Sequence, residues 1–468
     1  VGQAPDYWEN DQFDDTYYLN GKEKKYNGFA TDVWFDEAID YIKAQAKVQE
    51  KTDKPFFLYL STNAPHVPWR APENYIEPYK TLGLGDDLAK FYGMITNIDD
   101  NIARLRKAMS DTNIEDNTIF IFMTDNGSSM AAKSNGEPLT RLTDEVKLAI
   151  ETKTGKKLNS LNSFMRAGKT SIYEGGHRVP FFIRWPNGKL GQPNEFNDLT
   201  AHVDVLPTLL DLAGIDAKNI DTDGISLVPA LQQGSALPDR TIVVTNQRVL
   251  NPDPQRPYAV MQGNWRYVHA EHSEGVELFD LTNDSGQINN IIDQHPEKAA
   301  ELAKAYEQWW IHATGKGTPT TRPIIGSEHE NPSRLTGMDW LSPNTGQVPW
   351  WPGFGDDKWG KGHGWVGNEE KFLVSPWALK VASKGNYTMT LYLHDIPANK
   401  VIDKNFAHLQ LNGKTETKAI TTGAISVEFE VQLVQGDIDI RAWFDDQTDD
   451  SGLSTGLPAF YMYVEKQR

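Results

Sequence analysis

Strand-length apolar runs alternate with amphipathic helical segments between about residues 30 and 235, and this pattern restricts the fold more than any other feature. KPFFLYLST (Lys54–Thr62) and TIFIFMT (Thr118–Thr124) are near-continuous apolar runs, as expected of central strands in a largely parallel sheet. RVPFFIRWP (Arg178–Pro186) predicts another core strand, which a proline ends. Apolar residues at helical spacing separate the first two runs: Met94, Ile95, Ile98, Ile102 and Leu105. The alternation predicts an α/β domain in which helices flank the sheet.

Two further regions follow this domain. Residues 236–330 contain short apolar strands and then a helix through Trp309, which predicts a smaller α+β subdomain. Residues 331–468 lose the helical period and alternate apolar with polar residues, beginning at Trp377, Leu379 and Val381. Such alternation predicts antiparallel strands in a small sandwich or sheet. The predicted domains are therefore residues 1–235, 236–330 and 331–468.

A Gly-, Trp- and Pro-rich segment, VPWWPGFGDDKWGKGHGWVG, occupies residues 348–367. Its tryptophans would stack on sugar rings if they were exposed, or they would anchor a long loop to the body of the protein. We favour the anchoring role.

Charge and cysteine content exclude several functional classes. The chain has 468 residues and a net charge of -18, which disfavours nucleic acid as a partner. No apolar run is long enough to span a membrane. There is no cysteine, so disulfides, thiolate metal sites and cysteine nucleophiles are excluded. An anionic substrate would need positive groups concentrated locally in this acidic chain.

The first candidate functional segment is STNAPHVPWRAP (Ser61–Pro72), which directly follows a predicted strand. His66 lies between Pro65 and Pro68, so the loop that carries it is stiff and not helical. A lone histidine is most often structural, but ligands of open α/β sheets bind at the carboxyl ends of strands. Arg70 is a candidate substrate contact in the same loop.

The second candidate is the end of the strand TIFIFMTDNGSSM, where Asp125 and Asn126 precede Gly127. Their side-chain oxygens are hard ligands, suited to Ca²⁺ or Mg²⁺. An Asp-Asn-Gly sequence is also a common turn, and these residues alone favour the turn.

The third candidate is RAGKTSIYEGGHRVPFFIRWP (Arg166–Pro186), which leads into another predicted strand. Lys169, His177 and Arg178 form a local cluster of basic residues, and the glycines allow close approach of backbone to a ligand. The alternative is a glycine-rich connection with solvated charges.

The motifs LSTNAPHVPW, FYGMITNIDDNIARL, IFIFMTDNGSSM, GKTSIYEGGHRVPFFIRWP, HVDVLPTLLDLAGI and ELFDLTND occur in this order. Together they resemble the formylglycine-dependent sulfatases of the alkaline phosphatase superfamily over about residues 5 to 310. Residues 320–468 resemble the β-rich extension of some bacterial members. The resemblance implies an alkaline-phosphatase-like mixed sheet flanked by helices, a smaller C-terminal subdomain, and hydrolysis of a sulfate ester.

The resemblance also implies roles for the candidate residues. Asp125 and Asn126 match Ca²⁺ ligands, and Lys169 matches the lysine that binds the sulfate and the ester oxygen. His66 matches the histidine beside the leaving group. With Arg70, the remaining substrate-binding candidates at the pocket edge are His177 and Arg178. Asp204 is expected to be structural and to hold the turn into its helix.

One departure from the family is large. The family's nucleophile is a formylglycine made from Cys or Ser in a C/S-x-P-S/A-R motif, and no such motif occurs here. ENPSR (Glu330–Arg334) has a glutamate at the nucleophile position, so we treat it as coincidental. By family order two aspartate ligands, a lysine and a histidine would precede Val1. We therefore expect this chain alone to be inactive, to bind calcium weakly, and to associate with a separate N-terminal fragment or as a homo-oligomer.

Other expectations stay open at this point. The family suggests a periplasmic or secreted protein, although no signal peptide is visible. The substrate is expected to be a sulfated polysaccharide or a sulfated small molecule such as an aryl sulfate. The alternatives are a phosphoryl or phosphonate ester hydrolase of the same superfamily, and a non-catalytic carbohydrate-binding remnant.

Overall fold

The structure is a computed structural model that describes residues 12–52, 54–66, 68–128, 130, 165–190, 192, 194–216, 220–247, 252–270, 275–315, 317, 321–341, 374–393, 396, 401–449 and 456–467. The Trp-rich segment 348–367 lies outside these residues, so its anchoring role stays a prediction. The chain forms two units, the first within Asn10–Asn246 and Pro254–Gly315 and the second within Gln247–Asp253 and Lys316–Arg468. The predicted boundaries after residues 235 and 330 stay predictions.

Helices make up much of the first unit and bury apolar side chains between them. The described helices are α1 (Ala30–Gln49), α2 (Glu73–Thr81), α3 (Asp86–Asp111), α4 (Glu174–His177), α5 (Val205–Leu212), α6 (Val228–Gln233) and α7 (Pro296–Thr314). Helix α3 confirms the predicted helical spacing, because Met94 and Leu105 are buried on it. Leu105 and Met109 of α3 pack with Phe35 and Ile39 of α1 in one apolar cluster.

A two-stranded sheet made of β3 (Phe120–Met123) and β4 (Phe181–Arg184) follows the helices. The strands are antiparallel and pair Phe122 with Phe182. A mixed sheet allows such an antiparallel pair, and the sequence did not predict the direction of this one. A continuous apolar run is typical of strands in parallel sheets, but the direction of a given pair depends on the path of the intervening chain.

The structure assigns no strand to residues 54–62, although the sequence predicts one there. The apolar side chains still alternate: Phe56, Leu58 and Leu60 pack on the α1–α3 cluster, whereas Phe57 and Tyr59 are 75% and 79% exposed. The apolar run therefore covers the helices with one face.

An antiparallel sheet and helix α7 complete the first unit and confirm the predicted α+β subdomain. The sheet has the order β5 (Thr241–Thr245), β6 (Tyr258–Gln262), β7 (Trp265–His269) and β8 (Val276–Asp280). Helix α7 covers one face, where the rings of Tyr306 and Tyr258 stack with centroids 3.6 Å apart. A separate hairpin near the start of the unit pairs β1 (Thr16–Leu19) with β2 (Lys22–Lys25).

The second unit is a β-structure with one apolar core, as predicted from the alternation. One sheet has the order β10 (Ser333–Thr336), β18 (Tyr461–Lys466), β12 (Gly385–Tyr392) and β15 (Ser426–Leu433). The other has the order β14 (Lys414–Ala419), β13 (Phe406–Leu411), β16 (Gly436–Asp445), β11 (Trp377–Val381) and β9 (Ile324–Ile325), with β17 (Leu457–Pro458) paired to β16. Tyr387 and Phe429 of the first sheet share a fully buried cluster with Trp377 and Ile440 of the second.

Across the described ranges, none of the helices has the length and apolar character needed to cross a membrane.

Candidate active site

The candidate site is built around the turn that ends strand β3. Asp125 is exposed and Asn126 is half-buried. The Asn126 N–H donates to Asp125 Oδ1 at 2.9 Å, and His202 Nε2 lies 2.8 Å from the carbonyl oxygen of Thr124. The turn is therefore supported at its start, and Asp125 and Asn126 follow directly after the end of a strand.

Gly127 joins this turn to the segment that carries Lys169. The Gly127 N–H donates to the carbonyl of Gly176 at 2.9 Å, and the Lys169 N–H donates to the carbonyl of Ser128 at 3.0 Å. A Cβ atom at Gly127 would lie 1.8 Å from the carbonyl oxygen of Gly175, so only glycine allows this approach. Two of the three sequence-predicted motifs are thus brought together by direct backbone hydrogen bonds.

The turn around Lys169 has an unusual backbone. Ala167 and Thr170 have φ values of 58° and 77°, in the left-handed region that non-glycine residues rarely adopt. The carbonyl of Thr170 accepts a 3.0 Å hydrogen bond from Asn246 Nδ2, and the Ser171 N–H donates to Gly168. Lys169 is half-buried. The structure therefore fixes this lysine in a constrained turn.

Glu174 is the buried acid of the site. Only 1% of it is exposed, and its Oε1 atom accepts a 2.6 Å hydrogen bond from Arg266 Nε on β7. Its Oε2 atom lies 3.5 Å from Arg178 Nη1, and its backbone N–H donates to Gln287 Oε1 at 2.8 Å. Glu174 therefore connects the glycine turn to the antiparallel sheet.

His177 is buried beside this acid. Its side chain is 13% exposed, and Nε2 lies 3.9 Å from Glu174 Oε1 without a hydrogen-bond partner among the described residues. Burial lowers the pKa of His177 below its ordinary value of 6.5, although the negative charge of Glu174 acts in the opposite direction. The structure therefore favours a neutral imidazole.

This shift predicts how stability depends on pH. Because the folded pKa of His177 is depressed, its stabilising contribution is complete above the unfolded value of 6.5 and is lost as pH falls toward the folded pKa. We expect the free energy of unfolding to fall between about pH 7.5 and pH 5, and to fall less in His177→Gln. Urea titrations at both pH values measure this, with His329→Gln, an 87% exposed side chain, as the control. Equal pH slopes in His177→Gln and the wild type would contradict the prediction.

Arg166 and Tyr173 tie the same turn to β8. The Arg166 guanidinium lies 3.9 Å from the centre of the Tyr173 ring, and its Nη1 donates to the carbonyl of Gln287 at 2.9 Å. The Tyr173 hydroxyl donates to Glu277, and Arg166 pairs with Glu277 at 3.6 Å. Burial, followed by this hydrogen bond, raises the pKa of Tyr173 above its ordinary value of 10.0.

His66 and Arg70 lie in the loop after residue 60, outside this hydrogen-bonded region. His66 is exposed and Arg70 is half-buried. The His66 N–H donates to the carbonyl of Asn63, whose side chain accepts from Trp34 Nε1 at 3.1 Å. The loop meets the β3 turn through packing, since its Ala64 shares an apolar cluster with Met130.

Asp204 has the structural role expected from the sequence. Its carboxylate is fully buried and accepts hydrogen bonds from Arg240 at 2.5 and 2.7 Å and from the backbone N–H groups of Ala201 and Ile225. Burial alone would raise the pKa of Asp204, but these hydrogen bonds outweigh it and lower the pKa below 3.8. The pair holds the turn on which His202 contacts Thr124.

Two contributors were missed by sequence reasoning. Arg266 lies 92 residues from Glu174 and Gln287 lies 113 residues from it, so no local pattern connects them. The available signal was an arginine inside the otherwise apolar strand WRYVH, since a charged residue there requires a buried partner.

The donor set for a metal ion is incomplete among these residues. Asp125 and Asn126 offer two side-chain oxygens, whereas calcium takes about six to eight. Within the described part of the chain, no three His, Cys, Asp or Glu residues are grouped so that they could hold a metal ion. The described residues therefore do not fit a calcium ion by themselves.

Comparison with known proteins identifies the family. The sulfatase family model matches residues 3–215, and the model of the C-terminal region of N-sulphoglucosamine sulphohydrolase matches residues 167–309. Residues 3–309 of this chain are thus similar to sulfatases of the alkaline phosphatase-like superfamily. The resemblance inferred from the ordered motifs is thereby confirmed.

Individual sulfatases agree with this assignment. An N-acetylgalactosamine-6-O-sulfatase of Bacteroides thetaiotaomicron is 26% identical over 292 residues, which cover 59% of this chain and 52% of the relative. The uncharacterized sulfatase YdeN of Escherichia coli is 31% identical over 319 residues, covering 61% of this chain and 51% of the relative. The chain thus spans about half the length of these curated sulfatases.

A solved structure supports the fold. The crystal structure of Ps i-CgsB in complex with k-i-k-neocarrahexaose has a TM-score of 0.51 and 25% sequence identity, covering 62% of this chain and 56% of that chain. The similarity confirms the predicted alkaline-phosphatase-like α/β fold for the sulfatase part of the chain.

Proposed function

We propose that this chain provides the sulfate-binding lysine and two metal ligands of an enzyme that hydrolyses sulfate esters of carbohydrates. The observation that supports the proposal most is the junction of the Asp125–Ser128 turn with the Lys169 turn, made by the Gly127–Gly176 and Lys169–Ser128 hydrogen bonds. These contacts bring an acidic and amide ligand pair next to a lysine in an otherwise acidic sulfatase chain.

Each side chain has a chemical task in this proposal. The Lys169 ammonium binds a sulfate oxygen and the bridging ester oxygen, on which negative charge develops as the ester breaks. His66, on its stiff exposed loop, donates a proton or hydrogen bond to the leaving oxygen. His177, Arg178 and Arg70 are proposed to border the substrate, and Arg178 is suited to this because its side chain is 62% exposed.

Calcium and a formylglycine nucleophile, which this chain's sequence does not contain, complete the proposal. Asp125 and Asn126 would hold calcium together with further ligands, and the bound ion would neutralise charge on the sulfuryl oxygens. Since two oxygens make a poor calcium site, we expect the 468-residue chain to bind calcium more weakly than about 100 μM. Calorimetry on the wild type and on Asp125→Ala, with Asp87→Ala as the control, measures this. Micromolar affinity in the wild-type chain would contradict it.

Sulfated carbohydrate is the proposed substrate class. One relative is named for N-acetylgalactosamine 6-O-sulfate, and the structurally similar Ps i-CgsB was crystallised with a neocarrahexaose. A periplasmic or secreted location, where such polymers are met, is part of the same proposal. Association with a separate N-terminal fragment or with a second copy also remains a proposal.

Turnover tests the proposed function. The 468-residue chain lacks any C/S-x-P-S/A-R motif, so we expect it to release no sulfate from 4-nitrocatechol sulfate or from N-acetylgalactosamine 6-sulfate. The product of the complete reading frame that encodes this chain is expected to release sulfate, and its Lys169→Ala variant is expected to lose at least about 100-fold in rate. Measurable turnover by the 468-residue chain would overturn its predicted inactivity. A fully active Lys169→Ala variant, or a preference for phosphate esters, would overturn the assigned chemistry.

A further inference from the structure

We propose that Glu174, held by Arg266, is the positioning residue that sets the place of Lys169 relative to the Asp125–Asn126 turn. The inference rests on the proposed function, because it assigns a task to residues that serve the same sulfate site. In this proposal neither Glu174 nor Arg266 contacts the substrate. Their effect is transmitted through the backbone of the glycine turn.

The alternation of side chains along β7 places Arg266 on the face of the sheet that packs against the Lys169 turn. Tyr267 faces the cluster that packs on helix α7, whereas Val268 faces the cluster that contains Ile172 and Tyr173. Arg266 shares the Val268 side of the strand, since successive residues of a strand alternate between faces. The antiparallel sheet therefore supports the Lys169 turn with one of its two faces, where Arg266 contacts Glu174 and Glu277 contacts Tyr173.

The pairing of Glu174 is specific. Arg266 is only 6% exposed, and besides Glu174 its Nη1 atom donates to the carbonyls of Gly263 and Trp265 at 2.7 and 2.9 Å. Both members of the pair are thus buried, and the arginine is fixed to its own strand before it contacts the acid. A buried charge that lacks its partner is unfavourable, so Glu174 stays in contact with Arg266. The position of the glycine turn is therefore set by the sheet that carries Arg266.

A short series of backbone hydrogen bonds connects Glu174 to Lys169. The N–H of the next residue, Gly175, donates to the carbonyl of Arg166 at 2.9 Å, and the carbonyl of Gly176 accepts from Gly127 at 2.9 Å. The Lys169 N–H in turn donates to Ser128 at 3.0 Å. A displacement of Glu174 therefore moves both sides of the candidate site.

The backbone of the lysine turn explains why positioning is needed. Ala167 and Thr170 hold positive φ values of 58° and 77°, and Thr170 is β-branched, for which this conformation is unfavourable. A turn with these residues would relax if its surroundings did not hold it. The contacts of Glu174 with Arg266 and Gln287 supply that restraint.

The test compares two buried ion pairs of the same unit in the 468-residue chain. Arg266→Met removes the hydrogen-bonded partner of Glu174 and leaves only the longer 3.5 Å ion pair with the largely exposed Arg178. Arg266→Lys retains a positive charge as the conservative rescue. Arg240→Met removes the partner of Asp204, another fully buried acid, which within the described residues makes no hydrogen bond or ion pair to the lysine turn and reaches the β3 turn through the His202–Thr124 contact. The first readout is the amide hydrogen exchange of Gly127 and Lys169. The second readout is the binding of inorganic sulfate, for which Lys169→Ala is the control because it removes the ammonium group.

We expect the Gly127 and Lys169 amides to exchange at least about tenfold faster in Arg266→Met than in Arg240→Met, with partial recovery in Arg266→Lys. We also expect sulfate binding to weaken about tenfold in Arg266→Met and to weaken much less in folded Arg240→Met, which leaves the lysine turn in place. If Arg266→Met does not fold, Glu174→Gln, which keeps the side-chain shape, gives the same comparison.

Three results would overturn the proposal, and they are distinguishable. Equal exchange at both amides in the Arg266 and Arg240 variants would show that the pair stabilises the fold generally and does not position the turn. If the wild type and Arg266→Met bound sulfate with the same affinity, the positioning role alone would be overturned. Absence of sulfate binding in the wild type would overturn the proposed function, and the positioning role with it.

Discussion

Gly127→Ala is expected to lower the free energy of unfolding by about 3 kcal/mol and to separate the Asp125–Asn126 turn from the Lys169 turn. The added Cβ would lie 1.8 Å from the carbonyl oxygen of Gly175 and 2.9 Å from its carbonyl carbon. Both atoms belong to backbone, so no side-chain rotation relieves the collision. Urea unfolding measures the stability, and amide exchange at Lys169 measures the separation.

Gly275→Ala is the matched control for this substitution. A Cβ atom at Gly275 meets no atom of the described residues within 4 Å, and we expect its effect to stay within about 0.5 kcal/mol. If Gly127→Ala were as stable as Gly275→Ala, with normal protection at Lys169, the close contact between the two turns would be refuted.

Arg240→Met is expected to cost about 3–5 kcal/mol, because it leaves the buried carboxylate of Asp204 without its charged partner. The low pKa of Asp204 means that the wild-type pair contributes stability above the unfolded value of 3.8, and that this stability is lost as pH falls through the folded pKa. The pKa of Asp204 is expected to rise in Arg240→Met, so its destabilisation should be largest near neutral pH and should shrink in acid.

Arg104→Met provides the exposed comparison. Arg104 pairs with Asp36, and the two side chains are 50% and 57% exposed, so we expect a cost below about 1 kcal/mol. Urea titrations of Arg240→Met and Arg104→Met at several pH values measure how much each ion pair contributes to the free energy of unfolding. A loss in Arg240→Met as small as that in Arg104→Met would contradict a structural role for the Asp204 pair.

The sequence selected the residues of the candidate site, whose roles stay predictions, but not the contacts that support them. Asp125, Asn126 and Lys169 were selected from the order of the motifs, and the structure joins their turns through Gly127 and Ser128. The resemblance provided this link, since Asp125 and Asn126 alone favoured an ordinary turn. His66 was selected on the same ground and lies in a loop that reaches the β3 turn through apolar packing.

The parts that failed depend on contacts between distant residues. The antiparallel direction of β3 and β4 follows from the path of the chain between them, which apolar periodicity does not record. Arg266, the partner of Glu174, lies on a strand whose sequence predicts burial but not the acid that it meets. A propensity argument also placed a strand at residues 54–62, where the apolar residues pack on helices without an assigned strand.

Binding of inorganic sulfate to the 468-residue chain, followed by NMR titration, tests the central claim that the Lys169 turn belongs to a sulfate site. We expect a dissociation constant on the order of 1 mM, because the chain offers the lysine but not the whole site. Binding should disappear in Lys169→Ala and persist in Lys47→Ala, a surface lysine of helix α1. Sulfate binding that survives Lys169→Ala, or no binding by the wild type, would contradict the account.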